Sequence, residues 1–236
     1  MKHKFYNIRG TRYANLGQLD TAISYYEKAL SIKPNYAEAH YNLGYTLQRL
    51  GQLDAAVRSY KKVVAIKPEY AEAHSNLGSI HRDRKQLEKA LLYFEKAHSL
   101  KPDMSFILGD ILQIKMRLCK WDNLSNQLIE LRSRITNNEK VVSPFSLLGL
   151  IDDPKLQKKA SEIYANYYYP KSDNLPNISV YQNHKKIRIG YFSADFKQHP
   201  VATLTAELYE MHDREHFEVY AFSFGNDTND EMNLRI

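Results

Sequence analysis

The chain has 236 residues, 43% hydrophobic and 25% charged, an ordinary globular composition with room for one or two domains. Its 33 Lys and Arg are interspersed with 27 Asp and Glu, and the net charge of +6 reads as a solvated surface rather than a nucleic-acid interface. The single cysteine, Cys119, excludes an internal disulfide and a cysteine-rich zinc site. The first residues lack a signal-peptide pattern, and no apolar run approaches the ~20 residues needed to span a bilayer. A cytoplasmic protein without membrane association is expected.

A repeat governs the first hundred residues. Gly10, Gly44 and Gly78 are spaced 34 apart, as are Leu19, Leu53 and Leu87. Ala22, Ala56 and Ala90 keep the same interval, followed by Tyr26, Tyr60 and Phe94, and then by Pro34, Pro68 and Pro102. The string Tyr-Ala-Glu-Ala-His-x-Asn-Leu-Gly begins at Tyr36 and again at Tyr70. The glycine lets a second helix approach the first, the alanine does the same from the other side, and the aromatic fills the gap between units. The proline ends the second helix because it lacks an N–H and clashes with the preceding turn. A 34-residue helix–turn–helix unit with these marks resembles the tetratricopeptide (TPR) family, at about residues 3–36, 37–70 and 71–102. One unit cannot bury its apolar face alone, so the units are expected to stack into an α-solenoid.

The first helices should line the groove of that solenoid. Asn42 and Asn76 occupy equivalent places there, and Ile8 takes the position in the first repeat. An inward Asn can hold an extended peptide by pairing its amide with backbone N–H and C=O, whatever the peptide sequence; the competing reading is a surface Asn on a helix. Clamping a C-terminal carboxylate would need Lys or Arg near the front of the first helix, where Glu38 and Glu72 stand instead. The expected partners are proteins or extended peptides, with no nucleic acid.

From 103 to 137 the helical pattern continues without the repeat signature. Ile107, Leu108, Ile111, Leu112 and Met116 form one apolar stripe, and Leu124, Leu128, Leu131 and Ile135 form another. This predicts a degenerate helical pair packed against the third repeat, within a connector over 103–169. Ser143-Pro144 and Asp153-Pro154 mark two further helix starts. Residues 170–184 are polar and carry Pro170 and Pro176, the marks of a linker.

At Lys185 the pattern changes. Residues 187–193 and 217–224 are β-branched and aromatic, with a helix-like stretch at 201–212 between them. That order predicts a βαβ unit with parallel strands and a right-handed crossover. Gly225, Asn226 and Asp227 should close the second strand, and the chain stops at Ile236 where a second helix would begin.

Lys186-Ile-Arg-Ile-Gly-Tyr-Phe-Ser-Ala-Asp-Phe-Lys-Gln-His-Pro, with Met211-His212 and Phe217-Glu-Val-Tyr after it, resembles the opening of the catalytic region of the O-GlcNAc transferase family, including the SPINDLY-type proteins. Val142-Ser-Pro-Phe-Ser-Leu-Leu and Asp152-Asp-Pro fit the same family. The resemblance implies a mainly α fold: a TPR α-solenoid, a helical connector, and over 185–236 a partial α/β, Rossmann-like start of a glycosyltransferase lobe. It implies transfer of a sugar from UDP-N-acetylglucosamine to Ser or Thr of proteins, with acceptor polypeptide in the TPR groove. No cofactor of the chain's own is expected, and no metal-ligand spacing is present. The family's active-site histidine falls on His199, which follows a strand and precedes Pro200, a place where α/β sheets bind ligands and helix N-termini favour phosphate. An imidazole there can accept a hydroxyl proton or touch the diphosphate, and it can equally cap a helix. Asp195 can orient the loop, and His212 and His216 read as solvated loop residues. The donor-binding second lobe has no counterpart here, so a chain truncated after the start of the catalytic region is expected to be inactive alone. The alternative is a non-catalytic TPR interaction scaffold.

Overall fold

A computed structural model describes residues 1–170, 184–225 and 228–236. The expected linker falls mostly outside the described residues, as do Asn226 and Asp227. The chain divides into two compact units, Met1–Ser172 and Asp173–Ile236.

The first unit is helical. Three antiparallel pairs open it: α1 (Lys2–Asn15) with α2 (Leu19–Ile32), α3 (Ala37–Arg49) with α4 (Leu53–Ile66), and α5 (Ala71–Asp83) with α6 (Leu87–Leu100). Each pair turns on one left-handed residue, Gly17 (φ 77°), Gly51 (φ 74°) or Lys85 (φ 60°). The N–H after it reaches back to the carbonyls of Tyr13, Leu47 and His81 respectively, each at 2.9 Å. Those bonds close the first helix and hand the chain to the second. The residues before Pro34, Pro68 and Pro102 are extended, as a following proline requires, and the second helices stop there.

The glycines hold aromatic rings rather than bare helix backbone. A Cβ on Gly10, Gly44 or Gly78 would meet the ring of Tyr26, Tyr60 or Phe94 of the same repeat within 3 Å. The ring thus packs on the glycine of its own repeat and also fills the gap to the next unit, Tyr26 clustering with Leu43, Tyr60 with Leu77 and Ile80, and Phe94 with Ile107 and Ile111. Between repeats, His40 and His74 each place Nε2 2.8 Å from the carbonyl of Pro34 or Pro68, pinning a new repeat to the end of the previous one.

The connector comprises α7 (Ile107–Arg117), α8 (Leu124–Thr136), α9 (Pro144–Leu148) and α10 (Pro154–Tyr168). Ile107, Ile111 and Ile114 of α7 pack on Leu91, Phe94 and Ala97 of α6. Its opposite side, Leu108 and Leu112, joins Leu131, Ile135 and Leu147 in a separate core. An Arg82–Asp110 ion pair at 2.9 Å adds a polar tie between α5 and α7. Ser143 and Asp153 cap α9 and α10 by accepting backbone N–H groups, with proline in the first turn of each helix.

In the second unit β1 (Ile187–Ser193) and β2 (Phe217–Ser223) pair in parallel, with Ile187 opposite Phe217. Between them runs α11 (Pro200–Glu210), with Ala202 and Ala206 buried and Tyr209 against Tyr191 of β1 at 4.6 Å. A short α12 (Glu231–Arg235) follows, a few residues before the point where the sequence pattern put the start of a second helix. It is tied back by Asn233 Nδ2 to the Phe196 carbonyl at 2.7 Å and by a two-pronged Arg235–Glu210 contact.

Candidate functional site

Two places carry the residues singled out above, one in each unit. In the solenoid, Asn42 and Asn76 are half-buried and their amides reach the preceding repeat. Asn42 Nδ2 donates to Asn7 Oδ1 at 3.0 Å, and Asn76 Nδ2 donates to the Tyr60 hydroxyl at 3.0 Å and the Tyr41 hydroxyl at 3.4 Å. Ile8 is exposed, and its neighbour Asn7, buried, takes the polar role in the first repeat. The sequence pattern missed Asn7, Tyr41 and Tyr60 as the framework of the asparagines because these contacts depend on how neighbouring repeats meet. Among the described residues, no hydrogen bond reaches Oδ1 of Asn42 or Asn76, so each amide is anchored through nitrogen and keeps an acceptor.

Beside Asn76 lies a cavity of about 440 Å³ whose walls include Tyr41, Phe106, Tyr167 and Tyr168. Lys101 pairs with Glu72 at 3.0 Å on its rim. Burial works against the Glu72 carboxylate, but the Lys101 contact outweighs it and holds the group below its ordinary range. Burial raises the Tyr41 and Tyr60 hydroxyls, and burial together with the Tyr41 hydroxyl pushes Tyr70 up to about 12. These phenols stay neutral near pH 7, so they offer hydrogen bonds and ring surface rather than charge.

In the second unit His199 is the N-cap of α11: its Nδ1 accepts from the Val201 N–H at 3.2 Å, with Pro200 in the first turn. Asp195 Oδ2 stands 3.8 Å from the same nitrogen, and the Asp195 N–H donates to Ser193 Oγ at 3.0 Å. With Nδ1 accepting, the neutral ring carries its proton on Nε2 and presents a donor. The ring borders a shallow cavity of about 440 Å³ with Gln198, Thr203 and Leu204. His212 differs from its sequence reading. Its Nε2 lies 2.7 Å from the Tyr191 hydroxyl and its ring packs near Phe217, so it anchors the α11–β2 connection to the strands. His216 is exposed and paired with Asp213 at 2.6 Å. Among the described residues there is no cluster of side chains that could hold a metal ion, and no helix is long and apolar enough to cross a membrane.

The architecture is that of a TPR solenoid with the opening of an α/β lobe after it. Comparison with known proteins gives the same class. Residues 10–51 and 49–81 match TPR repeat, residues 71–104 match Tetratricopeptide repeat, and residues 163–236 match Glycosyl transferase family 41. The chain is 30% identical over 134 residues to a probable UDP-N-acetylglucosamine–peptide N-acetylglucosaminyltransferase, SEC, of Arabidopsis thaliana. It is 41% identical over 54 residues to the UDP-N-acetylglucosamine–peptide N-acetylglucosaminyltransferase of Caenorhabditis elegans. These matches take in 50% and 23% of this chain but only 14% and 4% of the two relatives. A solved Thermobaculum terrenum O-GlcNAc transferase mutant aligns with 99% of this chain and 39% of its own, at 21% identity and a TM-score of 0.46. The chain thus carries TPR repeats and a segment matching glycosyl transferase family 41, and over part of its length it is similar to protein O-GlcNAc transferases.

Proposed function

We propose that this chain holds extended polypeptide for protein O-glycosylation: the solenoid grips the acceptor backbone, and the β1–α11 corner is the start of the site that handles the UDP-sugar, in a cytoplasmic setting. The observation that carries the reading is the pair of equivalent asparagines, each anchored through Nδ2 and each keeping an acceptor oxygen. A backbone N–H in the groove would satisfy that oxygen independently of sequence, which suits an enzyme acting on many proteins. His199, a donor through Nε2 at a helix N-terminus, fits a contact to diphosphate better than abstraction of a hydroxyl proton, because Nδ1 is already engaged.

Substituting both Asn42 and Asn76 by Ala tests the groove. Each lost hydrogen bond should weaken an interacting polypeptide by roughly 0.5–1.5 kcal/mol. Affinity for that polypeptide, measured by calorimetry, should fall with the fold unchanged by circular dichroism. Unchanged affinity would refute the asparagine contacts.

A further inference from the structure

The solenoid has a second surface, on the side of α3 and α5 away from the asparagines. His40 and Asn42 are two residues apart on α3, as are His74 and Asn76 on α5, which sets them on nearly opposite helix faces. Two adjacent cavities open on the histidine side. One, of about 510 Å³, is bordered by Arg58, Lys61 and Lys62 of α4; the other, of about 480 Å³, by Lys61, Lys89 and Lys96. Lys61 belongs to both, so the two form one strip.

Charge in this strip is uncompensated. Among the described residues, no acidic side chain borders either cavity, and none of the five cations makes an ion pair. The acids on the same helices are drawn off: Asp54 to Arg84 at 2.8 Å, and Glu95 to Lys115 at 3.2 Å. Glu88 lines neither cavity. Beside the cations the lining is apolar, through Leu43 and Ala65 in one cavity and the exposed Leu92 with the half-buried Tyr93 in the other. Five unpaired cations beside apolar cavity walls call for a ligand that carries both carboxylates and apolar side chains. Base stacking suits the strip poorly, because Tyr93 already lies flat on His81, with ring centroids 5.4 Å apart and planes 3° apart.

We infer that the strip along α4 and α6 is a docking surface for an acidic segment of polypeptide whose carboxylates alternate with apolar residues. It is separate from the groove that takes the acceptor backbone and does not depend on that assignment. A fluorescein-labelled peptide of about a dozen residues, alternating Glu and Leu, is the probe, with its Gln-for-Glu counterpart and single-stranded oligothymidine as comparisons. The peptide should bind the full chain saturably and lose affinity as salt rises from about 50 to about 500 mM, and its Gln counterpart should bind the chain more weakly. Lys61→Glu with Lys89→Glu should weaken binding at least roughly tenfold, and Lys61→Gln with Lys89→Gln by less. These side chains are exposed, so folding should be preserved, and the Asn42→Ala, Asn76→Ala chain should bind as the parent does. No saturable binding, affinity insensitive to the lysine changes, loss through the asparagine changes, or tighter binding of the oligonucleotide would each overturn the inference.

Discussion

At Gly44 a single methyl group has nowhere to go. Its carbon would lie 2.9 Å from Tyr60 Cε1 and 3.2 Å from Ser59 Cβ, and the Tyr60 ring is fully buried. Helix propensity favours Gly44→Ala by ~1 kcal/mol, but overpacking a fixed ring costs ~1–3 kcal/mol, so the variant should melt below the parent. A higher melting temperature would show that the ring yields freely. Lys85 presents the converse case. It holds the left-handed turn that glycine holds in the first two repeats, with φ of 60°. A Cβ in that conformation costs ~1–2 kcal/mol, and glycine returns ~0.4–1 kcal/mol of it as added freedom of the unfolded chain. Lys85→Gly should therefore raise stability by up to about 1.6 kcal/mol in denaturant melts, since the Lys85 N–H bond to Arg82 is made by backbone and survives. A loss of stability on that change would mean that the side chain contributes something beyond its turn.

Helix α10 shows how one cap links an element to pH. Asp153 accepts the N–H groups of Leu156 and Lys155 and pairs with Arg132 at 3.1 Å. The backbone bond from Leu156, foremost, and the Arg132 contact hold its carboxyl below the ordinary range, against desolvation. With a lowered folded pKa, the native state binds fewer protons than the unfolded chain. The stabilisation is therefore present above the ordinary carboxyl value of 3.8 and is lost as pH falls through the lower folded value. Asp153→Ala should lower the melting temperature at pH 7, whereas Asp153→Asn should keep most of the cap and flatten the acid slope. Equal acid slopes in the Asn variant and the parent would place the titration elsewhere. This cap was legible in the sequence because Asp-Pro before an apolar stripe is a local signal, as was the 34-residue period that marks the helix pairs. Other features were not. Asn7 and Tyr60 as partners of the repeated asparagines depend on how neighbouring repeats meet. The anchoring of His212 depends on Tyr191, far from it along the chain.

For the whole molecule, chemistry depends on how much of a cleft the chain forms. Glycosyl transfer needs the leaving diphosphate neutralised, the sugar aligned with its acceptor, and water excluded. Among its described residues the second unit supplies two strands, two helices and one histidine at a helix start. Proton transfer by such a residue contributes only ~10²–10⁴-fold. The purified 236-residue chain should give no heat with UDP and no labelled product with a peptide acceptor. Stoichiometric UDP binding, or label lost in His199→Ala, would restore catalysis to it.

Among the described residues, α11 packs on one face of the two-stranded sheet, with Tyr209 against Tyr191. On the other, Phe192 and Phe222 stack at 4.6 Å while 69% and 47% exposed. Among the described residues of the second unit no helix covers them. Such a face has consequences for shelf life rather than for fold. When two chains collide there, both faces leave water together, so precipitation should follow the square of concentration. On warming, turbidity should appear roughly four times faster when protein is doubled, and Phe192→Ser with Phe222→Ser should slow it at every concentration. A clouding rate indifferent to dilution would locate the weakness inside single chains instead.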